Sequence, residues 1–259
     1  AIGDDAAGKK VWAWGGLPGE LVDVRITKKR RSYQEGIVDV IHEQSPDRIE
    51  PSEPLSYLST SPWQIVHYNA EWRYKDEILR ETFEREGVDT NWGEFEVFGG
   101  LSGYRNKMEY GFWGDDDGLH LAHFVRGSHR KQIVDPYGSL PTDAVNAGAA
   151  AIMADLQRIG VRAGDMKTVV IRASRSHKIA TALFVKSRDI DFSQLEQGNN
   201  IVIYYSDPKS PASVATEKLY SFGDITLSDT VLGHNITYDV DSFFQVNLPI
   251  TVLDVNSPP

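Results

Sequence analysis

Apolar and polar side chains alternate with a period of two over residues 11–14 (VWAW), 21–26 (LVDVRI) and 36–41 (GIVDVI). That period marks half-buried strands. Gly and Pro in GGLPGE (15–20) supply a chain reversal between the first two. The cations Lys28, Lys29, Arg30 and Arg31 precede the third. Short strands at this spacing predict a small β-barrel over residues 1–45. Pro46, Pro51, Pro54 and Pro62 disfavour both helix and strand, so 46–62 reads as a linker or an extended covering segment. The period then changes. Asn69 is placed to cap a helix running to Glu86, with Trp72, Ile78, Leu79 and Phe83 as its buried stripe and Gly87 as its stop. Glu71–Lys75, Asp76–Arg80 and Glu81–Arg85 lie at i,i+4 with the acid first, which suits a solvated helix face.

Residues 95–135 return to strand patterns: EFEVF, YRNKMEYGFW, LHLAHFV and KQIVD, with GDDDG (114–118) as a hairpin turn. An Ala-rich helix is predicted from the cap Thr142 to Ile159, with Val145, Ile152, Leu156 and Ile159 on one face and Gly160 as its end. KTVVIRAS, KIATALFVK, NIVIYYS and ITLSDTVLGHNITYDVDSFFQVN add further strands and turns. There is no internal repeat and no low-complexity tract. A β-meander with a few helices reads as α+β.

Composition narrows this picture. The 259 residues suffice for one large or two modest domains. No apolar run approaches the roughly 18 residues of a membrane span, and AIGDDAAGKK lacks a signal peptide's basic end and apolar stretch, so a cytoplasmic monomer with no membrane partner is expected. The formal charge of -10 argues against indiscriminate binding to nucleic acid but leaves room for a local basic face. The chain has no cysteine, which removes disulfides, thiolate metal sites, iron–sulfur clusters and cysteine nucleophiles.

On a strand through GYRNKMEYGF (103–112), Tyr104, Asn106, Met108 and Tyr110 share one largely apolar face, and Arg105, Lys107 and Glu109 share the other. The two cations stand about 6.6 Å apart, close to the phosphate spacing of a single nucleic-acid strand. Read by charge alone, this is an exposed face partly neutralised by Glu109. Asp115, Asp116, Asp117, His120 and His123 suggest a metal site, but positions 120 and 123 face opposite sides of a strand, so no metal is expected. Arg126, His129, Arg130 and Lys131 form a second basic stretch, RGSHRK, better suited to an RNA contact.

GYRNKMEYGF and SFFQVN (242–247) together resemble the RNA (uracil-5) methyltransferases, which methylate C5 of uridines in rRNA and tRNA. IGDD…GKKVWAWGGLPGELVDVRI resembles the TRAM domain, an OB-like RNA-binding barrel at the N-terminus of many members. The resemblance spans nearly the whole chain, is strong in the two motifs and weak between them. It implies a TRAM-like barrel over 1–45, a linker over 46–62, a central RNA-recognition domain over 63–247 and the start of a methyltransferase domain over 248–259. It further implies RNA contacts at Lys28, Lys29, Arg30, Arg31, Arg105, Lys107, Arg126, His129, Arg130 and Lys131. Gln245 would lie near S-adenosylmethionine and the target uridine, its amide able both to donate and to accept. Phe243 and Phe244 would stack on a flipped base or pack in the core.

TSPWQIVHYNAEWRYK (60–75) is similar to the family's iron–sulfur segment at Trp63, Gln64, Tyr68 and Lys75, but Ser and Thr replace the cysteines, and DPYGSLP (135–141) also lacks one. No cluster is expected. The family reaction needs a Cys thiolate to attack C6 and a Glu to remove the C5 proton. TVLDV (251–255) resembles the cofactor-binding strand, but NSPP follows where a glycine-rich turn belongs. The expectation is therefore the RNA-handling portion of a methyltransferase, inactive alone and without bound cofactor, with 23S rRNA favoured over tRNA. A stand-alone RNA-binding module and an α+β protein with no RNA role are the alternatives.

Overall fold

The computed structural model describes residues 1–91, 102–134, 138–195 and 200–247. The expected strand EFEVF (94–98), the last residue of the 131–135 strand, the first three of DPYGSLP and the segment 248–259 lie outside them. The chain divides into two compact units, Ala1–Val97 with Phe124–Gln132, and Phe98–His123 with Ile133–Pro259.

The first unit carries strands β1 (Ile2–Asp4), β2 (Lys10–Trp14), β3 (Leu21–Lys29) and β4 (Tyr33–Glu43), ordered β1-β2-β4-β3. β2 and β4 run parallel, and β3 and β4 form the hairpin that carries Lys28–Arg31. The alternation in β2 buries Val11 and Ala13 and leaves Trp12 and Trp14 on the opposite, exposed face. The 15–20 turn is held from within. Arg48 donates from Nε to Glu20 Oε1 at 2.6 Å, and from Nη2 to Glu20 Oε2 at 2.7 Å and the Gly15 carbonyl at 2.6 Å.

The proline-rich stretch is more ordered than a linker. It holds the short helix α1 (Tyr57–Thr60) and leads into a 3-10 turn at Pro62–Ile65, where Pro62 sits at a first-turn position that needs no amide donor. Ile65 and Val66 join Leu17 and Ala70 in a small core flanked by Tyr57, Trp63 and Tyr74. Helix α2 (Tyr68–Arg85) follows, one residue ahead of expectation. Its N-cap is His67, without a side-chain cap bond, and not Asn69. The expected apolar stripe is not buried: Ala70 is the helix's buried residue, while Ile78 and Phe83 are 54% and 38% exposed. Helical spacing marked those positions, but the small core reaches only the first turns. All three expected i,i+4 ion pairs form.

The second unit is built on a sheet ordered β11-β10-β9-β8-β5-β6-β7 among the described residues. Its strands are β5 (Lys107–Asp115), β6 (Gly118–Phe124), β7 (Lys131–Ile133, of which Lys131 and Gln132 are assigned to the first unit), β8 (Met166–Ala173), β9 (Ile179–Val185), β10 (Ile201–Tyr205) and β11 (Glu217–Phe222). β9 and β10 are parallel, and β8 pairs antiparallel with β5 and β9. Helix α3 (Asp143–Arg158) covers one face with Val145, Ile152 and Leu156. Its N-cap Thr142 accepts from the Val145 amide at 3.3 Å, and Gly160, at φ +72°, ends it. The hairpin β12 (Thr226–Val231)–β13 (His234–Asp239) covers the other face, with Leu227, Tyr238 and Val240 against Val170, Ala182 and Phe184. Burial on both faces explains why β8 and β9 read as near-continuous apolar runs. β11 had no clear signal in the sequence because EKLYSF is largely exposed at the sheet edge. The mixed α+β class stands.

Candidate nucleic-acid interface

The two motif segments meet in the second unit. The Asn106 amide donates to the Val246 carbonyl at 3.3 Å, and the Asn106 carbonyl accepts from the Ala173 amide at 2.9 Å. The Arg105 amide donates to Leu140 and its carbonyl accepts from Thr142, both at 2.9 Å. The YRNK backbone is thus held to β8, to the entry of α3 and to SFFQVN. Asn106, Met108 and Tyr110 are buried, as the alternation predicts. Asn106 goes further: neither Nδ2 nor Oδ1 of its buried side chain has a hydrogen-bond partner in the structure. Beside this junction lies a cavity of about 250 Å³, lined in part by Tyr104, Asn106, Ser174, Arg175, His177 and Val246.

The cationic face of this strand is less open than expected. Lys107 is half-buried and lies opposite Arg172 in the β5–β8 register. Burial and then the Arg172 charge push its pKa down, against Glu109 and Asp241. Arg172, which sequence reading passed over as part of an apolar strand, is 1% exposed. Its Nη1 donates to the Ser242 carbonyl at 2.7 Å and more weakly to that of Asp239 at 3.3 Å, and its guanidinium lies 5.3 Å from the centre of the Tyr238 ring. A buried cation thereby fixes the start of SFFQVN. Within that motif the two phenylalanines part. Phe244 stacks on Tyr238 with centroids 4.1 Å apart and planes 16° from parallel, whereas Phe243 is 89% exposed. Gln245 is exposed.

The remaining candidate cations all fall in the first unit. Lys28 pairs with Glu35 at 3.3 Å, and Lys29, Arg30 and Arg31 are exposed at the hairpin tip. Residues 124–132 belong to this unit too. Gly127, at φ +70°, has its missing Cβ position only 2.8 Å from Ile37 Cδ1 and 3.1 Å from Thr27 Cγ2, so glycine is required both by conformation and by space. This contact sets the RGSHRK loop against β3 and β4, next to the 28–31 hairpin. Arg126 is the clasp. Its amide donates to Ser59 Oγ at 3.0 Å, its Nε to the Leu58 carbonyl at 2.9 Å, and its guanidinium lies 3.9 Å from the centre of the Trp14 ring. His129 and Arg130 are exposed, and Lys131 Nζ sits 5.2 Å from the centre of the Phe124 ring. Two basic runs separated by about a hundred residues become one basic region on an acidic chain.

His120 contacts Asp115 at 3.0 Å while His123 lies against the Tyr110 ring, so the two histidines do occupy opposite faces. Among the described residues no group of three or more His, Cys, Asp or Glu side chains is placed to hold a metal ion. The segment resembling the iron–sulfur loop is occupied by packing: Lys75 lies 5.3 Å from the centre of the Trp63 ring, and Gln64 Oε1 accepts from Ser52 and from the Glu53 amide. With no thiolate in the sequence, the donor set does not fit a cluster. Among the described residues no helix is long and apolar enough to cross a membrane.

Comparison with known proteins bears on what these arrangements serve. No protein-family model matches the chain. An uncharacterised RNA methyltransferase of Thermotoga maritima is 34% identical, with 94% of this chain and 58% of that protein aligned. Another, from Caldanaerobacter subterraneus, is 26% identical over 93% of this chain and 58% of its own length. The 23S rRNA (uracil(1939)-C(5))-methyltransferase RlmD of Halomonas elongata is 29% identical over half of this chain. The chain is similar to RNA methyltransferases, one of them of the 23S rRNA uracil-5 type. It spans less than three fifths of the length of the first two relatives. The fold agrees: the crystal structure of the Pyrococcus abyssi tRNA (uracil-54, C5)-methyltransferase in complex with S-adenosyl-L-homocysteine superposes with a TM-score of 0.71, over 98% of this chain and 62% of that one, at 14% identity. Sequence reading passed over the buried Arg172 and over the exposure of Trp12 and Trp14. The two tryptophans carried a signal: in an alternating strand with Val11 and Ala13 inward, they had to face out.

Proposed function

We propose that this chain is the RNA-recognition portion of an S-adenosylmethionine-dependent RNA (uracil-5) methyltransferase acting on 23S rRNA. The observation that carries the reading is the joining of YRNK to SFFQVN through Asn106 and Val246, in a chain homologous to RNA methyltransferases over most of its length. In this reading the first four strands are an OB-like TRAM barrel. Lys28–Arg31 with Arg126, His129, Arg130 and Lys131 hold phosphates, and Arg105 and Lys107 steer the backbone towards the junction. Phe243, with its ring in solvent, is the stacking candidate of the pair, and Phe244 holds the motif to the core. Gln245 would meet the uridine or the methyl donor. A thiolate attack on uracil C6 cannot come from this chain's own side chains, since it has no cysteine.

Fluorescence-anisotropy titration with a 23S rRNA hairpin carrying a target-type loop, against a scrambled single strand at two salt concentrations, tests the proposal. Selective, salt-sensitive binding that weakens for Arg105→Ala and Lys107→Ala is expected. Equal affinity for both RNAs favours a non-selective RNA-binding module, and absence of binding to either refutes the RNA role.

A further inference from the structure

The first unit exposes aromatic rings that the phosphate-contact reading leaves unused. Trp12 is 43% exposed and stacks on Tyr33, with centroids 4.7 Å apart and planes 18° from parallel. Trp14 lies two residues on, on the same face of β2, and is 36% exposed under the Arg126 guanidinium. Ile2, which pairs with Trp12 in the β1–β2 register, is 65% exposed. Single exposed apolar side chains are ordinary, but aromatics gathered on one strand face suit a binding surface. Each indole already has one neighbour fixing its plane, so little side-chain freedom remains to be lost when a flat ligand stacks on it. The acids nearby are committed: Glu35, opposite Trp12, pairs with Lys28, and Asp4 pairs with Lys10.

We infer that the Trp12–Tyr33 stack and Trp14 form a stacking surface for the unpaired bases of a single-stranded RNA, whose phosphates lie on the cations of 28–31 and 126–131. This rests on the RNA reading above and adds to it a base-contacting surface within the first unit. The chemistry selects the occupant. Indole faces flanked by Lys and Arg suit a ligand that is flat and aromatic with an anion at each unit of length. The Trp12 and Trp14 positions are separated along the strand by about 6.6 Å, roughly twice the 3.4 Å rise of a nucleic-acid strand, a backbone spacing that suits successive bases. Stacking of this type is tolerant of sequence, because every base has a π-face.

The test uses the full chain with a fluorescent twelve-nucleotide oligouridylate and an abasic strand of equal length. Trp12→Ala is expected to weaken binding of the oligouridylate about tenfold, the loss of one stacked base, and to leave the abasic strand unaffected. Trp12→Phe should restore most of the loss, and Trp14→Ala should resemble Trp12→Ala. Circular dichroism establishes that each variant is folded. Independently of any variant, photocrosslinking of 4-thiouridine RNA to the unmodified chain should label peptides containing Trp12, Trp14 or Tyr33. Parental affinity in folded Trp12→Ala and Trp14→Ala, equal losses for the abasic strand, or crosslinks confined to other peptides would each overturn the stacking surface. In that event, retained sensitivity to Arg105→Ala keeps the wider RNA reading. A chain that binds neither strand nor the rRNA hairpin overturns both.

Discussion

Removing Arg48 should destabilise the first unit by about 3–5 kcal/mol at neutral pH. The side chains of Arg48 and Glu20 are only 8% and 1% exposed. Two parallel N–H···O contacts of 2.6 and 2.7 Å join them, and the Glu20 carboxylate also accepts from the amides of Leu17 at 2.8 Å and Ser45 at 3.2 Å. In Arg48→Ala a buried carboxylate keeps two amides but loses its counter-charge, and the Gly15 carbonyl loses its donor. Replacing both partners with apolar residues should cost less, about 2 kcal/mol, because the residual penalty is then the unpaired Leu17 and Ser45 amides and Gly15 carbonyl and not a stranded charge.

The pH dependence separates these causes. In the parent, burial raises the Glu20 pKa, but the bonds from Arg48, Leu17 and Ser45 outweigh it and the net shift is downward. A depressed carboxyl contributes stability that is complete above the ordinary value of about 4.3 and is lost as pH falls through the lower folded-state value. Without Arg48 burial dominates, the pKa rises, and the charged form becomes the costly one. The deficit of Arg48→Ala should therefore be largest at pH 7 and shrink as the pH falls towards 4.5. Urea unfolding followed by fluorescence and circular dichroism at both pH values reads this, with amide exchange at Leu17 and Ser45 reporting on the first unit alone. A deficit below about 1 kcal/mol, or one independent of pH, would refute a buried ion pair as the cause.

Lys107 should lose its proton below the ordinary lysine value of about 10.4, so its contribution to RNA affinity should fade on raising pH from 8 to 10, measured with 2′-O-methyl RNA, while Lys107→Arg shows no such loss. Over the same window the parent should gain stability relative to Lys107→Arg, because a lowered lysine pKa means the charged form disfavours folding. Phe244→Ala should cost about 2 kcal/mol through its lost stack on Tyr238, whereas Phe243→Ala should change stability by less than about 0.5 kcal/mol; urea midpoints decide both. Gly148→Val should destabilise the second unit by about 2–3 kcal/mol, since even a Cβ there would stand 2.9 Å from Ile179 Cγ2 and 3.0 Å from Ile171 Cγ2; a thermal melt matching the parent would show that α3 can move off the sheet freely.

Helix α3 was legible from sequence because every signal agreed: a Thr cap, a 3.6-residue apolar period and a terminal glycine. The strands of β2, β3 and β4 were legible for the same reason at period two. Helix α2 shows where such reading fails. Its existence and its ion pairs follow from local spacing, but whether Ile78 and Phe83 find a core depends on how far that core extends. Likewise YRNK and SFFQVN were visible as segments, yet nothing local indicates that Asn106 and Val246 are bonded.

What the sequence by itself determined is the period and punctuation of its elements, the α+β class, and the residue types available for chemistry, including the absence of any thiolate. These depend on neighbours within a turn or a strand, where side-chain direction follows from backbone geometry. Only the tertiary structure decided that Lys28–Arg31 and Arg126–Lys131 share one surface, that Arg172 is buried against Tyr238 and the Ser242 carbonyl, and that Phe243 and Phe244 have opposite surroundings. Those outcomes rest on contacts between residues some seventy to a hundred positions apart. Their cause is the burial and hydrogen-bond satisfaction of whole surfaces, which no local periodicity encodes.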